Sequence, residues 1–212
     1  MTSKAPLEPL LGVLEEARKW GFLGPGPVED HVAHAARFRR RIERLAAAGL
    51  AMSRGLDLGS GGGVPGLVLA AFDDSLHWVL VDAGERRTRF LEDAVAALGF
   101  GDRVSVRQGR AEVLARDPDL RYQIDLVVAR SFGPPAVTAE CATGFLRAGG
   151  YLLVSEPPSS ELAERWPVDG LMELGMQAEG ASEGIQALRQ VRLCGDRYPR
   201  RVGVPAKRPL FG

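Results

Sequence analysis

The stretch GLDLGSGGGVPGLVLA, from Gly55 to Ala70, decides the fold. It begins as a short apolar run and continues into a loop in which four of the five residues from Gly59 to Gly63 are glycine. Glycine inside a strand or helix costs about 0.5–1 kcal/mol relative to alanine, so chains use it where the backbone turns tightly or approaches a ligand. The stretch therefore predicts a strand, a ligand-binding loop and the start of a helix.

Composition sets the broad class of the protein. The chain has 212 residues, of which 45% are hydrophobic and 25% are charged, and its formal net charge is zero. These values are ordinary for a soluble globular protein. Two cysteines without a CxxC pair or a histidine cluster indicate neither a disulfide framework nor a metal site. Because no apolar run has the length of a signal peptide or a membrane span, we expect a cytoplasmic monomer with no membrane association and no protein partner.

Two helices are predicted before the first strand. Four leucines at helical spacing predict the first helix over residues 7–20, and the glycines and prolines of GFLGPGP end it. The second helix is predicted from near Pro27–Asp30 to about Gly49, with proline suited to a first turn. The apolar residues predicted near one of its faces are Val32, Ala36, Ile42 and Leu45.

From residue 54 onward, short apolar runs alternate with helical segments. The predicted strands are GLDLG, HWVLVD, RVSVRQ, IDLVVAR and GGYLLVSE, and the predicted helices cover 65–72, 85–98, 111–116 and 135–146. This alternation favours an α/β fold of the Rossmann-like class, with a mostly parallel twisted sheet and helices on both faces. The segments GLMELGMQAE and IQALRQVRLC are predicted to form late strands that pair as a hairpin, and the proline- and arginine-rich end of the chain is predicted to be irregular.

Three regions follow from this reading. Residues 1–53 form an N-terminal helical extension, residues 54–196 form the Rossmann-like domain, and residues 197–212 form a basic tail.

The glycine loop can be read in two registers. Read from Gly61 to Gly66 as GxGxxG, it is the dinucleotide fingerprint. Read as DxGxGxG, with Asp57, Gly59, Gly61 and Gly63, it is the S-adenosylmethionine loop of Rossmann-like methyltransferases. The second register puts its first glycine directly after the strand, where a strand-to-loop turn requires it. In that register the loop N–H groups and the next helix N-terminus face the carboxylate of the cofactor.

The second strand ends in Asp82, a carboxylate suited to accept the ribose hydroxyls of an adenosine. It serves nicotinamide cofactors and S-adenosylmethionine alike, so it supports a nucleoside without choosing between them. The alternative interpretation is a glycine-rich turn that binds no ligand, with Asp82 acting as the cap of the next helix.

Later strand ends add further candidates. Ala111 and Glu112 follow the third strand, where an adenine would lie, although Glu112 also suits the first turn of a helix. Arg130 follows the fourth strand, at an edge where it could hold a phosphate or the cofactor carboxylate, unless it is an ordinary surface arginine.

The segments DLGSGGGVPGLVLA, LVDAGERRTRFLEDAV, GRAEVLA, VVARSF and DRYPRRVGVPAKRPL follow one another with the gaps of a known family. Together they resemble the ribosomal RNA small-subunit methyltransferase G family, also called glucose-inhibited division protein B. The resemblance implies that S-adenosylmethionine is used to methylate guanine N7 in 16S rRNA, with the 30S subunit as partner. It also implies cofactor contacts at Gly59, Val64, Ala111, Glu112 and Arg130, with Asp82 as the acid of the second strand.

Some positions depart from the family pattern. A Lys-Gly pair is usual after the fifth strand, where this chain has Ser155 and Glu156, and the N-terminal helices lack the usual asparagine and threonine positions. The same fold acting on another RNA or on a small molecule is therefore the alternative. No catalytic residue is assigned, because guanine N7 has a free lone pair and needs no general base.

Two basic clusters are candidates for binding RNA phosphates. On the second helix the candidates are Arg37, Arg40 and Arg41. In the tail they are Arg200, Arg201, Lys207 and Arg208. A solvated helix face is the other interpretation of the first cluster, and Tyr198 either stacks on a base or packs inside the protein.

Overall fold

The computed structural model describes residues 7–157 and 165–212. The chain divides into two compact units, Met1–Gly109 and Arg110–Gly212. The strands belong to a seven-stranded sheet, and most of the strand pairs described are parallel. This confirms the predicted α/β class. The region boundaries predicted at residues 53 and 196 lie elsewhere than the division between the units and stay predictions.

The first unit contains two helices followed by alternating strands and helices. Its elements are α1 (Leu7–Lys19), α2 (Val28–Ala47), β1 (Arg54–Leu58), α3 (Gly66–Phe72), β2 (His77–Asp82), α4 (Glu85–Ala97) and β3 (Val104–Gln108). The strands are parallel in the order β3-β2-β1, with Asp57 of β1 opposite Leu80 of β2. Four of the five residues of β1 and five of the six residues of β2 are buried, as expected for parallel strands covered on both faces.

Helix α2 follows the predicted limits, and its buried stripe includes two of the four residues predicted near one face. Its buried residues are Val28, His31, Ala35, Phe38, Ile42 and Leu45, which recur every three or four positions as on one face of a helix. Val32 and Ala36 lie at the edge of this stripe and are partly exposed. The predicted face is confirmed at Ile42 and Leu45, whereas Val32 and Ala36 lie at its margin, because His31, Ala35 and Phe38 occupy the buried positions nearby.

The second unit also alternates helices and strands and ends in a hairpin. Its elements are α5 (Ala111–Leu114), β4 (Ile124–Ala129), α6 (Pro135–Thr143), β5 (Leu146–Ser155), α7 (Val168–Glu173), β6 (Met176–Ser182), β7 (Ile185–Gln190) and α8 (Val204–Lys207). The order is β4-β5-β7-β6, with β4 and β5 parallel and the other two pairs antiparallel. The predicted hairpin is confirmed.

Two late predictions require correction. The start of GLMELGMQAE belongs to helix α7, and only the residues from Met176 onward form a strand. Gly175, with a φ of 76°, separates them, because glycine adopts this left-handed backbone readily. The tail contains the short helix α8 rather than being wholly irregular. Across the described parts of the chain, no helix is both long and apolar enough to cross a membrane.

Candidate functional site

The glycine loop, Gly59–Gly63, leaves the carboxyl end of β1 in a conformation that requires glycine. The φ angles are 76° at Gly59, 54° at Gly61 and 89° at Gly63. This left-handed region is one that residues with a side chain rarely adopt. The three glycines of the DxGxGxG register are thus the ones with left-handed backbone, as expected if the loop is shaped around its backbone N–H groups.

Asp57 joins the end of β1 to the start of α3. Its side chain is 1% exposed, and its Oδ2 accepts a hydrogen bond of 2.9 Å from the backbone N–H of Gly66. Gly66 has no room for a side chain, since an added Cβ would lie 2.6 Å from that same Oδ2 and 2.5 Å from Leu80. The predicted loop residue Asp57 therefore fixes the start of α3 relative to the end of β1 on the buried side of the loop.

Asp82, at the carboxyl end of β2, fixes the loop from the neighbouring strand. It is 5% exposed, and its Oδ2 accepts a 3.0 Å hydrogen bond from the N–H of Gly61. Its Oδ1 accepts hydrogen bonds of 2.8 Å from the N–H of Gly84 and from Nε of Arg87. The hydrogen bond to Asp82 raises the pKa of Arg87. The predicted ribose acceptor is thus also an ion-pair partner of Arg87.

The turn after α1 packs on the glycine loop. An added Cβ at Gly62 would lie 2.7 Å from Cγ of Leu23, and one at Gly61 would lie 3.5 Å from the carbonyl oxygen of Phe22. The N-terminal helical extension therefore helps to shape the loop, which the loop motif alone does not indicate. Val64 follows the loop and is 6% exposed.

In the second unit, Ala111 and Glu112 begin α5, and both are buried. The Glu112 Oε1 accepts a 3.0 Å hydrogen bond from the N–H of Gly203 and one of 3.1 Å from Nη2 of Arg110. Burial opposes ionisation of Glu112, but these hydrogen bonds outweigh it and leave its pKa below the ordinary value. Glu112 therefore ties α5 to the tail, a role that the first-turn interpretation did not include.

A cavity of about 290 Å³ opens at the carboxyl ends of β4 and β5. Its lining includes Ser131 and Phe132, which follow the half-buried Arg130, and also Glu156 and Trp166. Glu156 accepts hydrogen bonds of 2.5 Å from Nε1 of Trp166 and 2.8 Å from Nε of Arg165. The negative charge of Glu156 is therefore neutralised inside the protein, and its side chain is 1% exposed.

The tail is anchored by side chains of the second unit. Arg200 donates to both carboxylate oxygens of Glu140, from Nε at 2.8 Å and from Nη2 at 2.6 Å. Glu140 is fully buried. Arg116 donates to the carbonyl oxygen of Pro199 at 2.8 Å, and Tyr198 is 2% exposed. This burial supports packing rather than base stacking for Tyr198.

The other candidate RNA-binding residues are placed differently. In the tail, Arg201, Lys207 and Arg208 are exposed. On α2, Arg37 and Arg40 are exposed and Arg41 is half-buried. Among the described residues, no cluster of three or more His, Cys, Asp or Glu side chains could hold a metal ion.

Three further residues, whose hydrogen bonds hold the site or the tail in place, were not predicted from the sequence patterns. They are Arg87, Arg116 and Glu140. Arg87 had a weak signal, since it lies in the first turn of a helix directly after the strand-end acid. Glu140 also had one, because it is the single acid in the apolar segment of α6. Arg116 had none, since its partners lie 80 and 83 residues away.

Comparison with known proteins shows which family the sequence of this chain matches. Residues 40–165 match the family described as GidB, rRNA small subunit methyltransferase G. A relative of that name from Thermotoga sp. (strain RQ2) is 38% identical over 167 residues, covering 74% of this chain and 71% of the relative. The relative from Dictyoglomus thermophilum is 30% identical over 168 residues, covering 76% and 70%.

A solved structure supports the fold independently. Fibrillarin from Aeropyrum pernix, in complex with natively bound S-adenosyl-L-methionine, superposes with a TM-score of 0.50. Its sequence identity is 20%, and the match covers 65% of each chain.

The mostly parallel sheet and the left-handed glycine loop after β1 define a Rossmann-like fold, and the family match identifies its class as S-adenosylmethionine-dependent methyltransferase. Within that class, this chain belongs to the rRNA small subunit methyltransferase G family, because the family match covers more than half of the chain.

Proposed function

We propose that this chain methylates N7 of a guanine in 16S rRNA, with the 30S subunit as its substrate and S-adenosylmethionine as the methyl donor. The observation that carries the proposal is the family match over residues 40–165, which includes the glycine loop and the acid of β2. The proposed substrate puts the reaction in the cytoplasm, and we expect a monomer.

The residues around the loop fit the proposed cofactor. The left-handed backbone at Gly59, Gly61 and Gly63 keeps side chains away from the carboxyl end of β1, so that backbone N–H groups can approach a carboxylate. We propose that Asp82 accepts the ribose hydroxyls, which would share or replace the hydrogen bond that Oδ1 now accepts from Arg87. The other proposed cofactor contacts are Asp57, Val64, Ala111, Glu112 and Arg130.

Methyl transfer to guanine N7 needs no acid or base residue. When bound, S-adenosylmethionine supplies an electrophilic methyl group, and N7 of guanine supplies a lone pair. The N7–C bond forms as the S–C bond breaks, so no proton has to leave N7. The task of the protein is to hold N7 in line at about 3–3.5 Å from the methyl carbon. A base that is stacked in the RNA must first be released from its stack.

Exposed cations are proposed to bind the RNA backbone. In the tail these are Arg201, Lys207 and Arg208, which the anchor between Arg200 and Glu140 leaves displayed at the surface. Arg200 itself is committed to Glu140, so we expect its contribution to RNA binding to be small. On α2 the proposed contacts are the exposed Arg37 and Arg40 and the half-buried Arg41.

The test is methylation of 30S subunits from a strain that lacks this enzyme family. The purified chain is incubated with these particles and S-adenosylmethionine, and the digested 16S rRNA is examined by mass spectrometry. We expect 7-methylguanine at one position. Replacing Arg201, Lys207 and Arg208 by glutamine should weaken binding and reduce the dependence of the affinity on salt, since each lost phosphate contact lowers the salt slope by about one.

Two results would argue against the proposal. If the chain binds S-adenosylmethionine but leaves the particles unmodified, the acceptor is another RNA or a small molecule. If the triple variant keeps the salt dependence of the parent chain, the tail is structural and RNA binds elsewhere. Cofactor affinity serves as the control, because it should be the same in both chains.

A further inference from the structure

An exposed aromatic patch lies on the first unit, beside the glycine loop. Trp20 is 55% exposed, and its ring lies nearly parallel to that of Phe22, with centroids 6.4 Å apart and an interplanar angle of 15°. Phe22 in turn meets Phe90 edge to face at 5.6 Å. Cζ of Arg86 lies 5.4 Å from the centroid of the Trp20 ring. These four residues are called the Trp20 patch.

The exposure of Trp20 stands out among the aromatic residues. The chain has three tryptophans, and the other two, Trp78 and Trp166, are 1% and 3% exposed. A tryptophan ring buries a large area when it packs, so leaving half of it in water forgoes a large stabilisation. The ring lies nearly parallel to Phe22 but offset from it, with the guanidinium of Arg86 over it, and its exposed part is suited to receive another planar group.

The patch is linked to the cofactor loop by one contact and by one sequence neighbour in the same unit. Phe22 belongs to the turn that packs on Gly61 and Gly62. Arg86 precedes Arg87, which is hydrogen-bonded to the strand-end acid Asp82. A group stacked on Trp20 would therefore lie next to the loop that is proposed to hold the methyl donor.

The charges around the patch favour an anionic partner. Lys19, Arg86 and Arg89 are exposed there, and the side chain of Arg89 is 74% exposed. The facing acids are Glu16, whose Oε1 is 3.5 Å from the indole nitrogen of Trp20, and Glu85, which pairs with Arg89 at 2.9 Å. Three exposed cations thus stand against two acids at the border of the aromatic surface, which favours contact with phosphate.

We propose that the Trp20 patch stacks an unpaired nucleobase of the RNA substrate next to the target guanine. Releasing a target base from its stack leaves its neighbour without one of its stacking partners, and aromatic and arginine side chains replace such partners in single-stranded RNA recognition. The proposal rests on the proposed rRNA substrate. It adds the surface that holds the RNA beside the cofactor loop.

The experiment compares Trp20→Ala and Trp20→Phe with the parent chain. Methylation of the same 30S particles gives KM and kcat, and calorimetry gives the affinity for S-adenosylhomocysteine. We expect Trp20→Ala to raise KM by about 5- to 150-fold, which corresponds to the loss of one base-stacking side chain. Trp20→Phe should keep most of the affinity because it keeps an aromatic face, and cofactor affinity should be unchanged in both.

Matched variants and a second readout separate stacking from folding. Arg86→Gln should raise KM more than Arg89→Gln, since only Arg86 lies over the Trp20 ring. Met172→Ala removes another apolar side chain that is 60% exposed and should leave KM unchanged. Single-stranded oligouridine should protect Trp20 from acrylamide quenching of its fluorescence, because the other two tryptophans are buried already.

The outcomes distinguish this proposal from the proposed function. If the parent chain methylates 30S particles and Trp20→Ala has the same KM, the patch does not bind RNA. If Trp20→Ala weakens cofactor binding as much as RNA binding, the patch only supports the loop and the proposal is overturned. If the parent chain leaves 30S particles unmodified while Trp20→Ala loses oligouridine binding, the patch stands and the proposed acceptor fails.

Discussion

The glycine loop and the basic tail are both rich in residues that suggest ligand binding, yet they are built in opposite ways. The loop is shaped mainly by its own backbone, with left-handed glycines at 59, 61 and 63, and it is also held by Asp82 and by the turn after α1. The tail is shaped by distant side chains. Arg200 reaches Glu140, 60 residues earlier, and Gly203 reaches Glu112, 91 residues earlier.

This difference between loop and tail shows when a sequence motif is enough to predict the geometry of a binding site. A loop whose shape depends on glycine carries much of its backbone conformation in its own sequence, so the motif indicates that conformation even though it does not reveal the turn packed on the loop. A run of arginines carries only charge, and each charge can face RNA or a buried acid. In this tail Arg200 faces the buried acid, whereas Arg201, Lys207 and Arg208 face solvent.

The largest effect should come from Arg200→Met, which tests whether the tail is anchored. The side chain of Glu140 is completely buried, and that of Arg200 is 24% exposed. Removing the arginine leaves a buried carboxylate without its cation, so we expect the free energy of unfolding to fall by about 3–5 kcal/mol. Urea unfolding followed by circular dichroism measures this change.

Two companion variants sharpen that result. Glu140→Gln should cost less than Arg200→Met, because the freed guanidinium can turn toward water and the buried carboxylate is gone. Arg201→Met should change stability by no more than about 0.5 kcal/mol, as is usual for an exposed side chain. Equal and small effects of Arg200→Met and Arg201→Met would mean that the tail is not anchored by this ion pair.

The next effect concerns the loop and is tested by Gly66→Ala. The added methyl group would meet Leu80 at 2.5 Å and Oδ2 of Asp57 at 2.6 Å. Relieving such contacts in a packed interior costs about 1–3 kcal/mol and would move the loop, so affinity for S-adenosylhomocysteine should fall as well. Calorimetry and thermal unfolding measure the two quantities.

Gly101→Ala is the matched control, since an added Cβ there meets nothing within 4 Å. At such a position alanine is neutral or stabilises the chain by about 0.4–1 kcal/mol. Unchanged cofactor affinity in Gly66→Ala would show that the packing below the loop does not set its binding geometry.

Much of the fold was predictable from the sequence because its signals are local. Buried strands such as VLV before Asp82 and the turn glycines of the loop are short-range features, and the five predicted parallel-type strands are confirmed. The helical start of GLMELGMQAE was predicted wrongly, and His31, Ala35 and Phe38 in the buried face of α2 were missed, because packing partners decide them. The ion pair between Arg87 and Asp82 was not predicted for the same reason: charge alone does not reveal a partner.

The smallest effect should come from Glu112→Gln, which asks whether Glu112 serves the tail or the cofactor. The pKa of Glu112 is lower in the folded chain than its ordinary value of 4.5. Its ionised form therefore stabilises the fold above that pH, and the stabilisation is lost as the pH falls through the folded-state pKa. At neutral pH we expect the variant to lose about 1 kcal/mol, the scale of one hydrogen bond, and the difference should shrink in acid.

Cofactor affinity decides between the two roles. If Glu112 chiefly holds the N–H of Gly203 and the guanidinium of Arg110, the variant should bind S-adenosylhomocysteine as the parent chain does, while its stability changes with pH as described. If it contacts the adenine, affinity for S-adenosylhomocysteine should drop at neutral pH. A drop in affinity for S-adenosylhomocysteine without any change in the pH dependence of stability would show that the contact between Glu112 and Gly203 does not stabilise the fold. Helix α5 would then serve the cofactor rather than the tail, and the contrast between loop and tail would not hold for this helix.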